Sequence, residues 1–206
     1  MIPTAKDCWA IIGPGRTGSK VIVDYVKNYY ARNNILLNYQ HPRVKVTEPV
    51  EGCIIHTHQV ESYSILRDSN TKIIISTRDM VDASLSWCIR KHIGAWHLYT
   101  MDQYLNLKIT PFELNLTEFY EYYNGSLEFY KTLQKELIQY NPNMVVIDYM
   151  EFESDSDAIL TRLDIKDGGA FNRKPLKNPG SPKAWISNWH DIQNELYRLK
   201  RIPEIR

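Results

Sequence analysis

The stretch Gly13-Pro-Gly-Arg-Thr-Gly-Ser-Lys20 constrains this chain more than any other. It lies between an apolar run, Cys8–Ile12 (CWAII), and a segment, Ser19–Tyr30, in which Val21, Ile22, Tyr25, Val26 and Tyr29 recur at helical spacing. A turn from a strand straight into a helix leaves the first helical amides without intrahelical partners, and the helix dipole favours an anion there. Glycines allow the tight turn and let anion oxygens approach the backbone. The plain alternative is a connecting turn with no ligand. The context of strand, glycines and amphipathic helix favours an anion-binding loop.

Three further apolar runs have the length and β-branched content of buried strands: Cys53–Ile55 leading into His56, Lys72–Ser76 (KIIIS) and Met144–Ile147 (MVVI). Helical patterns fall between them. From Asn115 to Tyr140, Phe119, Tyr123, Leu127, Tyr130, Leu133 and Leu137 step by three or four, with Asn115 and Glu118 placed to cap the helix. Thr110-Pro-Phe-Glu113 reads as another helix start, with proline at the first helical position, and Trp189, Ile192, Leu196 and Leu199 give a closing helix. Strands alternating with helices predict an α/β fold in three layers, a mostly parallel central sheet flanked by helices. The 206 residues suit a single domain spanning 1–206.

Composition excludes several classes. Lys and Arg number 25 against 24 Asp and Glu, a formal charge of +1, which argues against a nucleic-acid-coating or membrane-surface protein. No apolar run approaches the roughly 18 residues of a membrane span, and the amino-terminal sequence does not read as a signal peptide. Cys8, Cys53 and Cys88 form no C-x-x-C pair and suit a reducing compartment, so the expectation is a cytoplasmic protein. Charge is uneven, however. From Phe171 onward there are eight basic residues and three acidic ones, with Asn178-Pro-Gly-Ser-Pro182 inside the stretch. It reads either as a solvated tail or as a basic lid over an anionic ligand.

Three ligand classes compete for the loop. Gly13, Gly15 and Gly18 satisfy the dinucleotide fingerprint, but that reading expects a carboxylate about 20 residues on, where this chain has NILLNYQ. Gly13 to Gly18 also has the spacing of a P-loop triphosphatase, and MVVID ends in Asp148 like a metal-binding strand. Yet Ser19-Lys20 follows, where that chemistry needs Lys and then Ser or Thr. The third reading rests on Arg16. The residues Arg16-Thr17-Gly18-Ser19 resemble the 5′-phosphosulfate loop of the sulfotransferases, in which Lys or Arg precedes Ser/Thr, Gly and Thr/Ser. After KIIIS, the spacing of Arg78, Asp82 and Ser86 resembles that family's 3′-phosphate motif, with Asp79-Met80 where the family often has Asn-Pro. Arginine grips phosphate bidentately, and a serine in the following helix adds a donor. Read without the resemblance, Arg78 is an ion-pair partner and Ser86 a helix filler.

His56-Thr57-His58 lies where cytosolic sulfotransferases carry Lys-Ser/Thr-His, so the resemblance makes His58 the catalytic base and puts His56 in place of the lysine. Two histidines one residue apart on a strand share a face, which also admits a metal site, although the sequence shows no third ligand. A structural role is the alternative for both, His56 above all. Ile147-Asp-Tyr-Met-Glu151 resembles the family strand that would place Tyr149 near adenine. Phe171-Asn-Arg-Lys174 resembles the segment closing on the 3′-phosphate, with Arg173 and Lys174 as its basic pair and Trp185 as the later tryptophan; an alternative alignment uses Lys177 and Gly180.

The resemblance implies a P-loop nucleotide-kinase-like sulfotransferase fold and 3′-phosphoadenosine 5′-phosphosulfate (PAPS) as donor, with 3′-phosphoadenosine 5′-phosphate (PAP) as product. Gly15, Arg16, Thr17, Gly18, Ser19, Lys20, Arg78, Ser86 and Arg173 would bind the donor. His58 and Arg16 would be catalytic, no metal would be used, and the acceptor would be a hydroxyl or amine on a small molecule, glycan or peptide. Acceptor specificity falls to Ile93–Thr110 and the region around Asn178. The rival readings are a P-loop nucleotide or small-molecule kinase and a non-catalytic nucleotide-binding module.

Overall fold

The computed structural model describes residues 3–41, 51–58, 68–94, 102, 103, 106, 110–137, 144–155, 161, 165 and 181–200. The architecture is α/β in three layers, with a parallel sheet of five strands flanked by helices. By chain contacts it divides into two compact units, Met1–Arg78 with Lys131–Phe171 and Asp79–Tyr130 with Asn172–Arg206.

The first unit holds the sheet: β1 (Cys8–Ile12), β2 (Asn38–Gln40), β3 (Cys53–Thr57), β4 (Thr71–Thr77) and β5 (Met144–Asp148), in the order β2-β3-β1-β4-β5. Every pairing is parallel. β1 and β3 are buried at every position, as expected of strands covered on both faces. From β1 the chain goes out to β2 and β3 on one side, then crosses to β4 and β5 on the other. The order therefore reverses at β1, and the carboxyl end of β1 is the switch point where open parallel sheets leave a crevice. Helix α1 (Ser19–Arg32) covers the sheet with Ile22, Val26, Tyr25 and Tyr30, all essentially inaccessible. Tyr25 meets Phe152 edge to face at 5.8 Å.

A polar thread runs through this core. Trp9 Nε1 donates to the Tyr30 hydroxyl at 2.9 Å, and that hydroxyl donates to Asp7. Asp7 also pairs with Lys72 at 3.1 Å, and the Lys72 ammonium lies 5.2 Å from the Trp9 ring centroid. Burial works to raise the Asp7 pKa, but hydrogen bonds from Thr4, Tyr30 and Lys72 together hold it below the ordinary value.

In the second unit, Asp79 caps α2 (Met80–Ile93) by accepting from the Asp82 amide at 2.8 Å, and Gly94 ends the helix in the left-handed region. Asn115 caps α3 (Leu116–Leu137) through the amides of Thr117 and Glu118. Three helices follow β5 in the chain: α4 (Tyr149–Ser154) belongs to the first unit, while α5 (Pro182–Trp185) and α6 (Trp189–Lys200) belong to the second. The second core gathers Leu85, Ile89, Phe119, Trp185, Leu196 and Leu199.

The helix start expected at Thr110-Pro111 does not form. Phe112 makes a parallel bridge with Ile186, its amide donating to the Trp185 carbonyl at 2.9 Å and its carbonyl accepting from Ser187 at 2.8 Å. Those main-chain groups are committed to a distant segment and cannot serve a helix. Asn188 extends the zipper to the amide and carbonyl of Leu114.

Tyr30→Phe deletes the hydroxyl that joins Trp9 to Asp7 and leaves a buried indole N–H unpaired. It should cost about 1–3 kcal/mol and lower the melting temperature by roughly 2–12 °C in a thermal melt. Asp7 contributes stability above its unfolded value and loses it as pH falls through the depressed folded value. Asp7→Asn should therefore remove part of the acid sensitivity of that melt.

Candidate functional site

Gly13, His58, Arg78 and Tyr149 each follow immediately on a strand, β1, β3, β4 and β5 respectively. A parallel sheet aligned in register therefore delivers all four to one edge.

The loop is held against that edge by side chains. Thr17 Oγ1 donates to the Pro14 carbonyl at 2.8 Å, so the Ser76 hydroxyl, 2.7 Å away, is its donor. All of this is buried, with Thr17 and Ser76 inaccessible. A Cβ at Gly13 would lie 2.4 Å from Ser76 Oγ, so only glycine fits. Arg16 and Gly18 both take positive φ, 69° and 83°. Gly18 is the N-cap of α1, with no side-chain cap and no acidic residue in the first turn. The helix thus begins with polar amides that no carboxylate neutralises. The Tyr149 ring packs on Gly18 so closely that a Cβ there would come within 2.0 Å of it.

Arg78 donates from Nη1 to the Arg16 carbonyl at 3.2 Å, and its guanidinium carbon lies 5.4 Å from the Tyr149 ring centroid. Its Nε is buried without a hydrogen-bond partner among the described residues. A buried guanidinium nitrogen left unpaired costs free energy that an anion would recover. Lys20 is paired with Asp24 one helical turn on and lies 5.5 Å from the Tyr39 ring centroid.

His58 donates Nδ1–H to the Gly13 carbonyl at 2.6 Å, which leaves the Nε2 lone pair as its acceptor. Burial lowers its pKa below the ordinary histidine value; the Gly13 hydrogen bond opposes this and the His41 charge adds to it. The ring is thus neutral near pH 7 and has the form of a base. His56 is buried, with Nε2 2.8 Å from Ser19 Oγ and Nδ1 3.1 Å from the Tyr39 hydroxyl.

The structure therefore brings Gly15, Arg16, Thr17, Gly18, Ser19, His58 and Arg78 together on one unit. Ser86 is buried on α2 in the second unit. Arg173, with Lys174, lies outside the described residues, as do Lys177 and Gly180. Sequence reasoning missed His41. It directly follows β2, donates Nδ1–H to the His56 carbonyl at 2.7 Å, and stacks on His56 with centroids 4.7 Å apart. The strand that carries it is three polar residues long, NYQ, and shows no apolar period.

No protein-family model and no curated protein matches the sequence. Among solved structures, the whole chain aligns with 84% of a retinol dehydratase crystallised with retinol and PAP, at 13% identity and a TM-score of 0.54. A sulfotransferase from Alicyclobacillus acidocaldarius aligns over 96% of this chain and 92% of its own, at 11% identity and a TM-score of 0.47. The first likeness shows the fold. Among the described residues no helix is long and apolar enough to cross a membrane.

Gly18→Ala forces a side chain into the left-handed region and against Tyr149. It should destabilise the protein by about 1–3 kcal/mol. Gly125→Ala, on α3 with nothing within 4 Å of its added Cβ, should instead stabilise it by about 0.5–1 kcal/mol. Paired melts of the two variants check both.

Proposed function

We propose that this protein is a sulfotransferase that moves a sulfuryl group from PAPS to a hydroxyl or amine acceptor. The observation that carries the reading is the conjunction at the switch point of an uncapped, acid-free helix start, an arginine with an unpaired buried Nε, and a neutral histidine with a free Nε2. Shared fold with a protein crystallised with PAP supports it, as does the motif resemblance of Arg16–Ser19 and Arg78, Asp82 and Ser86.

When bound, PAPS supplies the activated sulfuryl group. Gly15, Arg16, Thr17, Gly18 and Ser19 would hold its 5′ end through main-chain amides and hydroxyls. Arg78 would take the 3′-phosphate; Ser86 keeps its place in the motif on spacing alone, as do Lys20 and Arg173. His58 accepts the acceptor's proton at Nε2 while its Nδ1–H bond to Gly13 fixes tautomer and ring orientation. Arg16 and the amides opening α1 stabilise the negative charge that develops beside them, in a site already ordered before any ligand arrives. The ring over Gly18 keeps Tyr149 at the loop, where an adenine could stack.

The test compares adenosine 3′,5′-bisphosphate, ADP with Mg²⁺, and NADH in thermal-shift assays. The bisphosphate alone should raise the melting temperature, by the equivalent of about 2.7 kcal/mol at 100 times its dissociation constant, and Arg78→Ala should abolish that shift. Stabilisation by ADP with Mg²⁺ alone would move the protein to the kinase class, and no shift at all would remove the donor site.

Once an acceptor screen yields turnover, His58→Ala should lower kcat by about 100-fold or more and leave the bisphosphate shift in place. Full turnover in that variant would remove the base assignment.

A further inference from the structure

We propose that His41, His56 and His58 form a transition-metal site, suited to one Zn²⁺, beside the phosphate loop. The parallel register produces the cluster. Gln40 of β2 pairs with Ile55 of β3, so His41 falls next to His56 as the strands run on, and His58 follows two residues later on the same face. One nitrogen from each ring lies within 4.8 Å of one from each of the other two. Tetrahedral zinc with Zn–N bonds of about 2.0–2.1 Å needs nitrogens roughly 3.3 Å apart, so side-chain rotations of modest size close the set.

Two of the three rings already carry the outer hydrogen bonds that metal-ligating histidines use. His41 and His58 each donate Nδ1–H to a main-chain carbonyl, of His56 and Gly13, which fixes the tautomer and leaves Nε2 for a cation. His56 can give up Ser19 at Nε2 and keep Tyr39 at Nδ1. No carboxylate belongs to the cluster. Imidazoles are borderline ligands that favour Zn²⁺, Co²⁺ or Cu²⁺ over Mg²⁺ or Ca²⁺, and three of them leave a fourth position open to water.

The site also has a consequence that rests on the proposed function. Zinc on His58 Nε2 occupies the lone pair that the base would use. Metal binding and proton abstraction then exclude one another, and Zn²⁺ acts as an inhibitor of transfer.

The experiment titrates the full chain with ZnCl₂ by calorimetry in a non-chelating buffer, without any nucleotide. One ion per chain should bind, His41→Ala should weaken it at least about tenfold, and His190→Ala, exposed on α6, should not change it. Because a variant can misfold, the histidine-ring ¹H–¹⁵N spectrum of the unaltered protein is recorded with and without Zn²⁺, and the resonances of His41, His56 and His58 should move together. Absence of a stoichiometric ion, equal affinity in a folded His41→Ala, or shifts confined to other histidines would overturn the site. The bisphosphate shift is read separately and does not enter this titration, so failure of the donor reading leaves the metal result standing. If zinc binds as described but leaves turnover untouched, the site holds and the inhibition does not.

Discussion

Gly13 sits where β4 leaves no space for a side chain. Ser76 Oγ would be 2.4 Å from a Cβ there, and its hydroxyl instead bonds Thr17, which in turn bonds the carbonyl of Pro14. This close approach ties the turn after β1 to the neighbouring strand with no water between them. The positive φ of Arg16 and Gly18, the direction of α1 and the position of the Gly13 carbonyl all follow from it. That carbonyl then orients His58, and the Arg16 carbonyl holds Arg78. A contact between two small side chains and a glycine thus sets the places of His58 and Arg78.

The electrostatics of the site follow from what is missing around it as much as from what is present. The first turn of α1 has no acid, and Lys20 in that turn is paired with Asp24. Positive potential at the loop therefore comes from amide dipoles, from Arg16 within the loop and from Arg78 at the neighbouring strand end. Burial keeps His58 neutral.

Much of this was legible in the residues. The strands at Cys8, Cys53 and Lys72 announce themselves because central parallel strands are apolar throughout, the edge strand at Met144 through its short β-branched run, and α1 and α3 because one face of each must be buried. The loop was legible through its glycines and its position. Two features were not. The segment at Thr110 carries a good local helix signal, yet Phe112 pairs with Ile186, seventy-four residues away, and such a long-range bridge leaves no trace in local sequence. His41 was hidden for a related reason. A polar edge strand of three residues has no period to detect, and nothing in a linear sequence shows that its register sets it beside His56.

The sequence by itself determined the types of the periodic elements, the sheet's parallel character and the glycine turn into α1, because these depend on local spacing, backbone freedom and which faces are apolar. Tertiary structure alone decided which strand ends share an edge, which ring nitrogen of His58 is left free, and that Arg78 meets Tyr149 and the loop. Those outcomes depend on strand order and register, which join residues far apart in the chain, and the hydrogen bonds that fix them exist only once the sheet has formed.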